Sequence, residues 1–171
     1  FVYLARQIGK LAEAGIRVIA IAGNHDVPKV SGAQNPLQGL VEARAPYFYY
    51  VQSLPREPLI LDLGRATVGI VPIPYVDPRI LKLSESPVDY DRYLGEKIRE
   101  LSESESVGDA DYSILMGHFT VSGALVRPIF PSMLEEPRVG RSSLREDSFD
   151  YVALGHVHTP QKIGERVRYA G

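Results

Sequence analysis

The sequence has 171 residues, 44% of them apolar, with 19 Lys and Arg against 21 Asp and Glu and a formal net charge of −2. That length can bury one ordinary hydrophobic core, so it reads as one globular domain or most of one, and no stretch approaches the roughly 20 apolar residues of a membrane helix. The absence of Cys excludes a disulfide scaffold, a thiolate zinc site and a cysteine nucleophile, which leaves His, Asp, Glu and Asn as possible metal ligands.

The chain opens on a helical period, Phe1, Leu4, Ile8, Leu11 and Ala12, with no capping residue ahead of it. The expectation is a start inside a helix, with the natural amino terminus further upstream and no secretory leader in the opening residues. Gly15 can take the left-handed dihedrals of a helix exit, and Ile16 to Ala22 then reads as a parallel strand. Gly23-Asn24-His25-Asp26 follows at once, which places its polar atoms at the carboxyl end of that strand, where open α/β sheets bind ligands. Pro36 to Ala43 reads as a short helix, and Tyr47 to Val51 as an aromatic strand or interface. Leu59 to Leu63 and Ala66 to Val71 read as an antiparallel hairpin turning at Gly64-Arg65, its second strand ended by Pro72 and Pro74.

Ser86-Pro87-Val88-Asp89 reads as a helix start with Ser86 as the cap, and Tyr90, Leu94, Ile98 and Leu101 form the buried stripe of that helix. The span 84–111 holds nine acidic residues against three basic ones, the pattern of a solvated helix end. Tyr112 to Met116 leads into Gly117-His118, and Phe149 to Leu154 leads into Gly155-His156-Val157-His158. Between them, Leu125 to Arg145 reads as loops with at most one short helix near Met133, and Arg166 to Tyr169 begins a further strand.

All four histidines therefore follow a hydrophobic strand candidate that runs into glycine. A lone His there is an ordinary hydrogen-bonded residue, but four in one context favour a shared polar site. In extended backbone His156 and His158 project to the same side, Val157 can face the core, and Gly155 lets the chain turn closely. Imidazole and a carboxamide oxygen suit Mn, Fe or Zn, so Asn24 is a plausible ligand beside the histidines. His25 can ligate metal, donate to a reacting oxyanion or brace the loop, while Asp26 can orient that imidazole or cap backbone amides. Two ions also need charge compensation, and no carboxylate precedes Asn24 in a position to bridge them.

These blocks resemble those of the calcineurin-like metallophosphoesterases and, more narrowly, of the SbcD-type nucleases of double-strand-break repair. The matching residues are Gly23-Asn24-His25-Asp26, Pro72-Ile73-Pro74-Tyr75, His118 to Ala124, Tyr151 to Gln161 and Arg168 to Gly171. The resemblance implies a four-layered α/β/β/α fold with two mixed sheets, lacking here the upstream Asp-x-His and Gly-Asp-x-x-Asp blocks and a downstream DNA-binding cap. It implies two divalent metal ions, manganese foremost, with Asn24, His118 and His156 on one and His158 on the other. His25 would contact the scissile phosphate or help protonate the leaving oxygen, with Asp26 behind it. It further implies DNA phosphodiester hydrolysis by exonuclease and single-strand endonuclease action inside a prokaryotic cell, a homodimer, and an SbcC-type coiled-coil ATPase as partner. Arg127, Arg138, Arg141 and Arg145 can contact phosphate or stand as ordinary solvated residues.

Overall fold

The computed structural model describes residues 2–26, 35–82, 89–127 and 136–171. The first helix, α1 (Val2–Glu13), ends as its glycine dictates. Gly15 sits at φ +72°, its N–H donates to the Ala12 carbonyl, and Ile16 N–H donates to the Leu11 carbonyl, a Schellman closure. The chain then enters β1 (Val18–Ile21). Helix α2 (Pro36–Glu42) has Pro36 in its first turn and Asn35 as its cap, the Asn35 side chain accepting from Leu37 N–H at 2.8 Å. It delivers the chain to β2 (Phe48–Val51), which pairs in parallel with β1 to make a two-stranded sheet.

The larger sheet has six strands. The hairpin β3 (Leu59–Asp62) and β4 (Thr67–Ile73) is antiparallel as expected, but β4 runs through Pro72 instead of stopping there. The reason lies in the pairing. β3 accompanies β4 only as far as Ile70, whereas on the other side Pro72 stays in register with Met116, so the missing N–H faces an edge with no partner strand. Helix α3 (Pro78–Lys82) follows, then α4 (Tyr90–Ser102) and the single turn α5 (Glu105–Gly108). Asp89, not Ser86, caps α4, its carboxylate accepting from Arg92 N–H at 3.0 Å. An ionised acceptor at the positive helix end is the stronger of the two caps. Ser86-Pro87 lies outside the described residues. The anticipated stripe is buried in full: Tyr90, Leu94, Ile98 and Leu101 face the sheet.

Strand β5 (Tyr112–His118) leads, after 136–140, to the short helix α6 (Arg141–Leu144) and a 3-10 turn at Glu146–Ser148. The helix anticipated near Met133 falls outside the described residues. Then come β6 (Tyr151–Gly155), β7 (Gln161–Lys162) and β8 (Val167–Tyr169), giving the order β3-β4-β5-β6-β8-β7 with β4, β5, β6 and β8 parallel. The core lies between this sheet and α4, α5 and α6, where Val71, Ile73, Leu115, Val152 and Val167 from the strands meet Leu94, Ile98 and Leu144 from the helices. Two sheets with flanking helices make this the α/β/β/α architecture that the sequence led us to expect. Leu4 and Leu11 of α1 remain exposed, and among the described residues no helix is long and apolar enough to cross a membrane.

The functional consequence is geometric. Parallel β5 and β6 both end in the Gly-His pairs, with His118 opposite Gly155 in the register. The small sheet reaches the same place because Tyr75 N–H, just beyond β4, donates to the Ala22 carbonyl at 2.8 Å and β1 lies against β5. Gly23 and Asn24 are thereby delivered to the end of β5.

Candidate metal centre

His118 is the hub. Its Nε2 lies 3.0 Å from Asn24 Oδ1, although 94 positions separate the two residues, and its ring centroid is 5.2 Å from that of His156. Two glycines make room for it. A Cβ on Gly23 would stand 2.6 Å from His118 Cε1, and one on Gly155 would stand 2.9 Å from His118 Nδ1. The glycines of the first and last motifs are therefore walls of the slot holding the His118 ring, a physical reason for a glycine at the end of each of those two strands. Gly117 serves the layer below, since a Cβ there would stand 2.6 Å from the Phe119 ring and 3.0 Å from Leu154.

The electrostatics keep this histidine neutral. Burial pushes its pKa down to about 4, aided by His156, His25 and His158, while Asp26 opposes the shift. A neutral imidazole retains the lone pair that a metal needs. The influence of His25 and His158 on His118 places both within electrostatic reach of the hub, and both are exposed.

Asp26 behaves as a cap. Its Oδ2 accepts from Gly23 N–H at 2.8 Å and its own N–H donates to the Gly23 carbonyl at 3.0 Å, closing the turn that presents Asn24 and His25. Asn35 braces the turn from outside, donating to the Asp26 carbonyl at 2.8 Å and to Tyr50 Oη at 2.6 Å. Burial, then the Asp26 charge, pushes the Tyr50 hydroxyl up to about 12.

The last motif departs from the extended geometry expected of it. His156 sits at φ +84°, so the chain turns sharply as β6 ends, and its side chain is only 7% exposed while His158 is open to solvent. Val157 does face the core, at 5% exposure. The two imidazoles thus occupy different environments, as they would not on a straight strand.

Two further side chains belong to the site and carried no assigned role in the sequence reading. Tyr75 stacks on His156, with centroids 5.9 Å apart and planes at 29°, and meets His118 edge-on at 6.3 Å. Glu136 Oε2 lies 2.6 Å from His156 Nε2. Glu136 arrives through a bridge between Val139 and Val121, in which Val139 N–H donates to the Thr120 carbonyl and Ser122 N–H to the Val139 carbonyl, each at 2.8 Å. No local pattern announces either contact, because both depend on chain segments that meet only in three dimensions. Thr120, Arg127, Glu136, His156 and His158 line one narrow cleft here, with exposed Arg127 at its edge.

The donor set fits a divalent ion in part. The 3.0 Å between Asn24 Oδ1 and His118 Nε2 is a hydrogen-bond distance when that nitrogen carries the proton, and it is also the spacing of two donors each about 2.1 Å from one ion at the right angle of an octahedral site. Among the described residues, however, no group of three or more His, Cys, Asp or Glu side chains is gathered closely enough to hold a metal.

The calcineurin-like phosphoesterase family model matches residues 1–160. The SbcD component of the Escherichia coli (strain K12) nuclease SbcCD is 28% identical over 187 aligned residues, covering 97% of this chain and 44% of that protein. The Methanopyrus kandleri DNA double-strand break repair protein Mre11 is 26% identical over 170 residues, covering 94% of this chain and 32% of that protein. The chain thus spans less than half the length of these curated relatives.

Proposed function

The chain belongs to the calcineurin-like phosphoesterase family, and from that premise we propose that it supplies part of the metal centre of a DNA phosphodiesterase acting in double-strand-break repair. The observation that carries this reading is the meeting of Asn24 Oδ1 and neutral His118 Nε2 at 3.0 Å, beside His156. In this reading Asn24, His118 and His156 hold one divalent ion, manganese foremost, and His158 holds a second. The second ion then needs ligands beyond His158, since the described residues gather no group of three or more His, Cys, Asp or Glu side chains there. Such ions, when bound, supply charge neutralisation of the phosphate and acidification of a water.

The protein's own groups divide the remaining work. Asp26 and Asn35 hold the turn so that His25 projects outward, where its imidazole can contact the scissile phosphate or protonate the departing oxygen. Gly23 and Gly155 confine the His118 ring to one position. Arg127 stands at the edge of the cleft, where a phosphate backbone would approach. Two other arginines considered as phosphate contacts are engaged within the chain, Arg141 with Glu146 and Arg145 with Glu103.

The relatives' names, a nuclease subunit and a DNA double-strand break repair protein, support DNA as substrate; exonuclease and single-strand endonuclease action, an SbcC-type ATPase partner and an intracellular prokaryotic setting complete this proposal. The exposed apolar residues Leu4 and Leu11 of α1 are compatible with a homodimer. The test is cleavage by the protein carrying this sequence, with Mn2+, of labelled duplex DNA, single-stranded DNA, a small aryl phosphodiester and a phosphopeptide. Cleavage of the two DNA substrates, abolished by chelation, is expected. Turnover confined to the small diester or the phosphopeptide would instead favour another two-metal phosphoesterase, and the absence of both metal binding and turnover a noncatalytic dimerisation module.

A further inference from the structure

We propose that Glu136 is a positioning residue for His156, fixing the ring with its proton on Nε2 so that Nδ1 is the nitrogen offered to a divalent ion. This rests on the metal-centre reading above and sharpens it to a single atom. Glu136 Oε2 and His156 Nε2 are 2.6 Å apart, a charge-assisted hydrogen bond. A carboxylate only accepts, so the nitrogen facing it carries the hydrogen, and a neutral ring with one N–H keeps its lone pair on the other nitrogen. The separation is also shorter than the about 3.0 Å expected of neighbouring donors on one ion with bonds of about 2.1 Å.

Three other features hold the ring in place. The φ of +84° at His156 swings its side chain away from the strand line, Tyr75 stacks against the ring at 5.9 Å, and the His118 ring meets it edge-on at 5.2 Å. Glu136 is itself anchored to the hub, because the strand-like bridge between Val139 and Val121 joins its segment to the residues directly after His118. That stretch is clamped in turn by the buried Tyr169, whose hydroxyl donates to the Phe119 carbonyl at 2.8 Å and accepts from Val121 N–H at 2.9 Å. A carboxylate behind a histidine orients it and raises its basicity, and loss of such a partner weakens metal affinity about 10-fold to 100-fold.

The experiment uses the protein carrying this sequence, labelled with 15N-histidine and titrated with Zn2+ as a diamagnetic probe, beside calorimetric Zn2+ and Mn2+ affinities for variants. The expected spectrum keeps the His156 Nε2–H correlation while the Nδ1 resonance moves on Zn2+ binding. Glu136→Ala should weaken affinity about 10-fold to 100-fold with circular dichroism unchanged, and Glu136→Gln, which retains an acceptor without the charge, should fall between it and wild type. Movement of the Nε2 resonance with Nδ1 unaffected would overturn the proposal, and needs no variant to fold. So would wild-type affinity in Glu136→Ala when His156→Ala loses binding, a result that leaves the metal centre standing. If His156→Ala also binds both ions normally, the metal-centre reading fails and takes this proposal with it.

Discussion

Two concave regions of this molecule differ in almost every respect that bears on function. The roomier one, about 590 Å³, lies between α6 and β7–β8 and is lined by Arg141, Glu146, Asp147, Lys162, Glu165 and Arg166 among others. The other, beside His156 and His158, has only about 10 Å³ of free space. In the roomy cleft three of those six charges are engaged: Arg141 pairs with Glu146, and Arg166 donates to the Asp147 and Phe149 carbonyls at 3.2 and 2.9 Å. The narrow one is lined by His156, whose ring lies 5.2 Å from that of neutral His118 in its slot beside Asn24. Volume records where the surface is hollow. Chemistry follows unshared electron pairs, so the smaller region is the better candidate.

Substitutions can break or sharpen this contrast. The largest effect is expected from His118→Ala, which removes the hub and should weaken divalent-ion affinity by at least about 100-fold, beyond the loss typical of an outer partner; isothermal calorimetry measures it. His25→Ala should lower metal-dependent turnover about 100-fold or more with ion affinity retained, as removal of a proton donor or charge stabiliser does. Equal losses of turnover and affinity would make His25 a ligand instead. Gly23→Ala should cost about 1–3 kcal/mol in urea denaturation and weaken ion binding, because its Cβ would overlap the His118 ring.

A smaller effect is expected from pH. His118 titrates at about 4 in the fold against 6.5 ordinarily, so between those values the unfolded chain binds more protons than the folded one. Its contribution to stability is therefore fully present above pH 6.5 and declines as pH falls towards 4. The urea midpoint of metal-free protein should show this decline, and the same profile for His118→Gln should lack that share of it. Lys162→Ala, in the roomy cleft, should leave midpoint and ion affinity unchanged; a loss of ion binding there would reverse the comparison.

How much of this was legible beforehand depended on whether the signal was local. The Gly15 closure, the α4 stripe and the three strand-to-glycine transitions are written in consecutive residues, and each appears where the pattern places it. Pro72 misled because a proline's effect depends on which edge of a strand is paired, and pairing is a property of the sheet. The turn at His156 misled for a related reason: alternation along a strand holds only while the backbone stays extended. Glu136 was invisible because its distance to His156 is fixed by the bridge from Val139 to Val121, not by its neighbours in the chain.

The hydrogen bond from Tyr75 to Ala22 has a mechanical consequence. Asn24 rides on the two-stranded sheet and His118 on the six-stranded one, so the donor pair straddles a seam stitched by that amide. An ion held by both, as proposed above, would act as a rivet whose binding energy presses the sheets together. Slippage along the seam and release of that ion would then be one event, seen from opposite ends.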